Sequence, residues 1–559
     1  MRRTALLVPT LALALAASAC GANAKTDAGP GAAAGSTTQT PARGGTLKML
    51  STAKEIHFDP AMSQNLATSG LHYITRSLTA WKTDPHKQTE LAADLATDTG
   101  TTSDGGRTWT FRLRDGLVYA DGTPITAADV KFGLERSFDE QLQGGLSYHK
   151  VLLEGGDAYR GPAKGAHLAS IEAKDDKTLV FHLNRRFADW PWVASMPAFA
   201  PVPANKGMGI PAYDHTPPAS GPYQVQDYQV GSKVTLARNP AWKPETDPIR
   251  PAYPDAITYE MGLNPDTVGQ RMADDSGDDK NATGPTVSAA LIPKVNADPA
   301  LKSRVYVSPS GASSYLVLNM SRPGLKDLKV RQAINYAVDK QQIQTIAGGP
   351  TYGGELSTTF MPPGVKGHKK FDLYPAPPAG DPAKARELLG GTKVPPLTFV
   401  VDAASTEEGQ MASSIANDLG EIGITVNVVA QDTDKVTDTK YKNGDFDLGF
   451  GSWQADYPSA YAALQPLVES SQIGDGNYNA SRLDDPKIDT AIRTASSETD
   501  PAEAEAQWGA IDEMAMKHAP IVPLYYSRNA FIYGSNVGGS YVPSFPSYTD
   551  ALVQGLKKP

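Results

Sequence analysis

Apolar and polar positions recur along this chain with two different periods. Thr46 to Leu50 reads as a strand. Trp109-Thr110-Phe111-Arg112-Leu113-Arg114 alternates large apolar with polar side chains, the period of a strand with one buried face, and the turn formers Asp115-Gly116 and Asp121-Gly122 follow. Thr126 is then a good N-cap, Asp129 three residues on completes a capping-box pattern, and Val130, Leu134 and Phe138 recur on one helical face. A second alternating run, Thr178 to Leu183, closes this region as a strand.

Further along, Val330, Ala333, Ile334, Ala337 and Val338 fall on one stripe of an amphipathic helix. From Ala383 to Ser452 helix and strand then alternate: Ala383 to Leu389, Leu397 to Val401, Glu407 to Leu419, Ile424 to Ala430, Lys435 to Tyr441 and Phe446 to Phe450. This succession predicts an α/β lobe. Near the end Asp500-Pro501-Ala502-Glu503 supplies an N-cap, a proline at the first helical position and a capping-box acid. That helix runs to about His518, Pro520 stops it, and Ile521 to Tyr526 reads as a buried strand. No repeat with a period of roughly 20 to 50 residues is visible, which argues against solenoids and propellers.

The 559 residues exceed one hydrophobic core, and at roughly 150 residues per domain they predict about three or four folding units. With 40% hydrophobic and 20% charged residues, the chain has the composition of a folded globular protein. A net charge of -9 without any dense basic block argues against nucleic acid as a partner, since phosphate binding needs clustered Lys and Arg. The single cysteine excludes internal disulfides and Cys-based zinc sites.

That cysteine changes the picture at the front of the chain. Arg2 and Arg3 form a basic n-region, Ala5 to Leu15 an apolar stretch, and Ala17-Ser18-Ala19 place small residues before Cys20, the pattern of a cleavable export signal over residues 1–20. The apolar stretch is too short to span a bilayer core of about 30 Å. Ala17-Ser18-Ala19-Cys20 resembles a bacterial lipobox, with Ala17 where Leu is usual, so Cys20 is the expected lipidation site. Residues 21–43 are mostly Ala, Gly, Ser, Thr and Pro, and read as a disordered tether between anchor and folded body.

Catalytic signatures are missing. The chain contains no G-x-S-x-G elbow, H-E-x-x-H helix or G-x-G-x-x-G loop, and no Gly is followed by Lys. The nine His residues are scattered, with none three or four residues from another, so a compact local metal site is not expected. Two acidic clusters, Asp274, Asp275, Asp278 and Asp279, and Asp432, Asp434 and Asp438, lack the spacing of a calcium loop and read as solvated surface loops. No enzyme, cofactor or metal is indicated.

Five stretches together resemble family 5 of the bacterial extracytoplasmic solute-binding proteins, the oligopeptide-, dipeptide- and nickel-binding lipoproteins of ABC transporters. They are Gly44-Gly45-Thr46-Leu47 with Asp59-Pro60-Ala61; Thr110 to Arg136, with Asp121-Gly122-Thr123-Pro124-Ile125-Thr126; Gly221-Pro222-Tyr223 with Arg238-Asn239-Pro240; Val330 to Asp339; and Asp447 to Asp456. The likeness runs from about Gly44 to near the C-terminus.

The resemblance implies an α/β, two-lobed clamp of the class II periplasmic-binding-protein type with an additional domain. Lobe I is expected from residues 44–70, 195–310 and 525–559, the additional domain packed on it from 71–194, and lobe II from 311–524. Such proteins close on solute by hinge bending, because only the closed state lets both lobes touch the ligand. Trp453-Gln454-Ala455-Asp456-Tyr457 is similar to the segment with which oligopeptide binders hold a peptide N-terminus. Asp456 would pair with the α-ammonium and Trp453 would form an apolar wall, with Tyr457 as the third ligand-binding candidate. The alternatives on the residues alone are that Asp456 caps the turn at Tyr457-Pro458 and that Trp453 is a core aromatic. The Gly-rich loop Gly348 to Gly354, with Tyr352, reads as a connector. The expected partners are an oligopeptide, the permease subunits of an ABC importer and the membrane through Cys20, with the protein a monomer on the extracytoplasmic face. The rivals are an oligosaccharide or metal chelate on the same scaffold, a secreted lipoprotein hydrolase, and a solute sensor.

Overall fold

Two mixed sheets, joined by two short passages of chain, organise the computed structural model, which describes residues 40–62, 71–84, 87–142, 145–164, 167–204, 210–474, 477–543 and 554–557. The export segment, Cys20 and most of the 21–43 tether lie outside the described residues. Among the described residues no helix is long and apolar enough to cross a membrane.

The first sheet has seven strands in the order Val305–Val307, Ala530–Tyr533, Ala282–Thr286, Thr46–Leu50, Ala256–Glu260, Lys233–Arg238 and Tyr223–Gln229. Thr46–Leu50 is central and parallel to both neighbours, while the last three strands pair antiparallel. Leu47, Val234, Leu236, Ile257 and Tyr259 point into one core with Tyr73, Ile74 and Tyr223. The three strands between Tyr223 and Glu260 were not anticipated.

The second sheet has six strands in the order Gly354–Leu356, Ile521–Ser527, Ala312–Leu318, Leu448–Trp453, Leu397–Asp402 and Val426–Gln431. The predicted stripe Val330, Ala333, Ile334, Ala337 and Val338 is buried against Leu316, Phe399 and the Met411, Ile415, Leu419 face of helix Thr406–Glu421. The helix expected over Lys435 to Tyr441 is instead Thr433–Thr437 followed by a wider π turn, Asp438–Asn443. Within it Lys440 turns inward and donates to the Phe450 carbonyl at 2.8 Å.

The chain passes between the sheets at 308–311 and again at 528–529. The two passages are tied to each other: the Ser308 N–H donates to the Asn529 carbonyl at 2.8 Å, and the Asn529 N–H to Ser308 Oγ at 2.9 Å. The return was expected before residue 525. It comes later because Tyr525, Tyr526 and Ser527 still pair with neighbours on both sides in the six-stranded sheet.

A third unit holds the hairpin Thr79–Asp84 with Lys87–Ala93 and a sheet of Thr108–Arg112, Thr178–His182 and Ile171–Ala173. Helix Ala127–Arg136 starts as the capping box predicts, the Asp129 carboxylate accepting from the Thr126 N–H at 2.8 Å. Phe138 lies beyond the helix end but is buried. A Cβ on Gly133 would lie 2.4 Å from the Ala200 carbonyl oxygen, so this helix packs backbone to backbone on the following segment.

Four buried charges join this unit to the seven-stranded sheet's loops. Arg76 Nε donates to Asp94 at 2.8 Å, and Arg250 lies 2.9 Å from Asp94 and 3.2 Å from Asp247. Burial would raise the Asp247 carboxyl, but the guanidiniums of Arg250 and Arg76 outweigh it and hold it below the usual range. The largest apolar cluster also runs from Phe111, Phe181 and Trp190 of this unit into Tyr457, Tyr461, Trp508 and Ile511 beside the six-stranded sheet. The third unit thus touches both sheets' surroundings.

One acidic cluster departs from its sequence reading. Asp279 is buried, with Arg271 and Lys48 at 2.8 and 3.0 Å, and these cations lower its carboxyl. Asp275 adopts φ 48° at the C-cap of helix Pro265–Asp274 and accepts from the Ser535 N–H. Only a tertiary partner such as Lys48, far away in sequence, could turn a solvated loop into this cluster. Asp432, Asp434 and Asp438 are exposed.

Candidate functional site

Strand Leu448–Trp453 lies inside the six-stranded sheet, antiparallel to Ala312–Leu318 and parallel to Leu397–Asp402. A Cβ on Gly451 would lie 2.3 Å from the Tyr315 ring, so glycine is what lets that ring cover the strand. The strand ends at Trp453, and a bend of six residues leads into helix Ala460–Val468, whose N-cap Ser459 accepts from the Tyr461 N–H at 3.1 Å. That bend carries Asp456 and Tyr457.

Asp456 is an acid without a cation. Its carboxylate accepts from the Tyr148 hydroxyl at 2.7 Å, and among the described residues no Lys, Arg or His pairs with it. Burial pushes its carboxyl above the ordinary range, and the Tyr148 bond offsets only part of that rise. Tyr148 sits in the short helix Tyr148–Leu152 of the third unit. Burial, and then the Asp456 charge, raise its phenol well above the usual value, so it remains a neutral donor.

Aromatic rings enclose this pair. The Trp453 indole N–H donates to the Ala462 carbonyl at 2.9 Å, which orients the ring, and its half-buried face lies 4.8 Å from the ring of Tyr478. Tyr478 is 44% exposed and offers a rim to solvent. Tyr441 meets it edge-on at 5.7 Å. Tyr457 is placed differently from Trp453: it is 0% exposed, lies parallel to Trp192 at 6.5 Å and takes the edge of Tyr148 at 5.4 Å. It supports Tyr148 from behind. Tyr478 thus packs on Trp453 and lies within the field of the Asp456 carboxylate, and the structure adds Tyr148, Tyr441 and Tyr478 to these two, none of which stands in a motif that marks it.

Next to this bend the Ser459 hydroxyl donates to Asp189 of the third unit, whose carboxyl burial raises to about 6. Asp189 borders a cavity of about 270 Å³ with Trp192, Lys366, Glu498 and Trp508. Tyr352, in the loop read as a connector, is in the short helix Gly349–Tyr352 and reaches Asn296 Oδ1 at 3.4 Å.

One serine and histidine pair also lies within hydrogen-bond reach, Ser137 Oγ and His149 Nε2 at 2.7 Å. The Ser137 hydroxyl has one proton, and it goes to the Leu134 carbonyl at 2.7 Å, so Ser137 accepts from His149. Both residues are buried, and burial lowers His149 to about 3. This pair is built as packing, with the histidine as donor, the reverse of a general base.

The family described as bacterial extracellular solute-binding proteins, family 5, middle, matches residues 90–475. The glutathione-binding protein GsiB of Escherichia coli (strain K12) is 25% identical over 474 residues, 82% of this chain and 84% of that protein. The periplasmic oligopeptide-binding protein OppA of the same organism is 24% identical over 452 residues, 78% of this chain and 79% of the relative. Among solved structures, the clavulanic acid biosynthesis oligopeptide binding protein 2 is 32% identical, superposes with a TM-score of 0.86, and the match covers 95% of this chain and 99% of the other.

Proposed function

The chain belongs to family 5 of the bacterial extracellular solute-binding proteins, which serve ABC importers, and from that premise we propose that it captures oligopeptides by their N-terminal ammonium at Asp456. The observation that carries this reading is the half-buried Asp456 carboxylate, desolvated beside aromatic rings, with one phenol and, among the described residues, no cation. A buried anion costs several kcal/mol unless it is paired, and an α-ammonium supplies the missing charge. The same rings favour a cation, whose field is attracted by aromatic faces. A neutral sugar would leave the anion uncompensated, so the oligosaccharide reading is the less supported one.

In this account Trp453 forms the apolar wall beside the first peptide residue, Tyr148 closes over the carboxylate from the third unit, and Tyr457 acts from behind. Bending at 308–311 and 528–529 opens and closes the clamp. Main-chain groups and water meet the rest of the peptide, which permits varied side chains. The closed protein, a monomer held on the extracytoplasmic face of the cell membrane by lipid on Cys20, presents the peptide to the permease. The relatives named for oligopeptides and glutathione support cargo with a free α-amine.

Calorimetry with di- to hexapeptides and glutathione tests the reading. Binding of free-amine ligands is expected, with loss of most affinity in Asp456→Ala and in N-acetylated peptides. Equal affinity of Asp456→Ala and wild type would remove Asp456 from the site. Labelled palmitate incorporated by the wild type and not by Cys20→Ser tests the anchor.

A further inference from the structure

The segment that follows the central strand Thr46–Leu50 passes close to helix Ile210–His215, and this contact brings together residues that no motif joins. One donor atom each from Glu55, Asp214 and His215 lies within 4.8 Å of the other two. We propose that these three residues bind a divalent cation of the zinc class.

The geometry is prepared from outside the cluster. Asp214 is nearly buried, and its two oxygens accept from the Asp59 N–H at 2.8 Å and from His57 Nδ1 at 2.7 Å. The proton between His57 and the carboxylate belongs to the imidazole, so His57 acts as a positioning residue. A carboxylate has about four lone-pair directions, and the two bonds leave others for a metal. His215 stacks on Tyr228 at 4.3 Å, and Tyr228 is itself tied through its hydroxyl to the Ile56 N–H and carbonyl at 3.1 and 2.9 Å. Hydrogen-bonded and stacked ligands of this kind lose little freedom on binding metal.

Charge points the same way. Among the described residues neither Glu55 nor Asp214 has a Lys or Arg ion-pair partner, while the nearby Arg136 is spent on Asp59 at 2.7 and 2.6 Å. Ligands on one zinc ion sit about 2.0–2.2 Å from it, hence at most about 4.4 Å apart. Rotation of the exposed Glu55 side chain covers the difference. One imidazole and two carboxylates suit zinc, cobalt or nickel, whereas calcium takes about six to eight oxygens. His215 is half-buried and Glu55 exposed, so water completes the coordination. The ion would pin the segment after the central strand to the helix, beside the Asp59–Arg136 pair that holds the third unit.

The test uses the full chain in detergent, free of purification tags, stripped with chelator and dialysed. Titration calorimetry and elemental analysis with zinc are expected to give one ion per chain, a rise in melting temperature, and d–d bands when cobalt replaces zinc. Magnesium and calcium are expected to give none of these. Glu55→Gln combined with His215→Ala should bind zinc about tenfold or more weakly; because the histidine also stacks on Tyr228, its melting is compared as the rise that zinc adds to each metal-free protein. His57→Ala should weaken zinc by a smaller factor. No zinc uptake by the wild type, or equal uptake by the double variant, overturns the proposal.

Discussion

The Tyr148 hydroxyl and the Asp456 carboxylate meet at 2.7 Å although 308 residues of chain separate them. One belongs to the third unit and the other to the end of a strand in the six-stranded sheet, so the bond exists only while those units are apposed.

Tyr148→Phe keeps the ring that packs on Tyr457 and removes the bond. A hydrogen bond to a charged acceptor contributes about 1.5–3 kcal/mol, so peptide affinity should fall about tenfold or more in calorimetry. An unchanged Kd would show that the bond does not contribute to peptide binding.

Peptide binding should weaken in mild acid. Burial raises the Asp456 carboxyl, and an ammonium ligand would lower it, so binding favours the ionised form. Affinity is therefore full at neutral pH and is lost as pH falls through a window above the ordinary carboxylate range. Calorimetry in buffers of different ionisation enthalpy should detect proton release on binding within that window. Tyr148→Phe should move the window upward, since the lost bond had lowered the carboxyl.

Asp189→Asn should stabilise the protein at neutral pH. Burial raises Asp189 to about 6, so the ionised form is a cost in the folded state, while Asn still accepts from Ser459. With an unfolded carboxyl near about 3.9, variant and wild type should melt alike below about pH 4 and diverge up to about pH 6. Allowing for solvent in the adjoining cavity, the gap at neutral pH is about 1–2 kcal/mol. Denaturant titration across this range checks the sign.

Arg250→Met should be costly. It leaves Asp94 and Asp247 in the interior with Arg76 as their remaining guanidinium, and breaking a buried network of this kind costs about 3–5 kcal/mol. Asp247, held low in the folded state, contributes stability at neutral pH that is lost as pH falls through its depressed value. Chemical denaturation at pH 7, with Asp247→Asn as companion, measures both.

Where elements begin and how they face was written locally. The Thr126–Asp129 box, the apolar stripe from Val330 to Val338 and the strand at Leu397 all act over a few residues, so their periods and caps appear directly in the sequence. Of the antiparallel strands between Tyr223 and Glu260, Tyr223–Gln229 escaped because its burial is irregular and its register shifts after Val225, whereas Lys233–Arg238 and Ala256–Glu260 do alternate in burial but are only five or six residues long, too short for the period to stand out. Of the candidate site, Trp453 and Asp456 could be named from the sequence because one short run carries the family resemblance. Tyr148, the buried Asp279 and the convergence of Glu55 with Asp214 and His215 were not. Each depends on a partner brought close by loops of many residues, and loop closure leaves no local pattern. Period and caps alone thus determined the α/β succession from Ala383 to Ser452 and single elements elsewhere, such as the helix after Thr126 and the strand at Ile521. Only the tertiary structure decided which charges are buried and which are paired, because burial and pairing are properties of the assembled units.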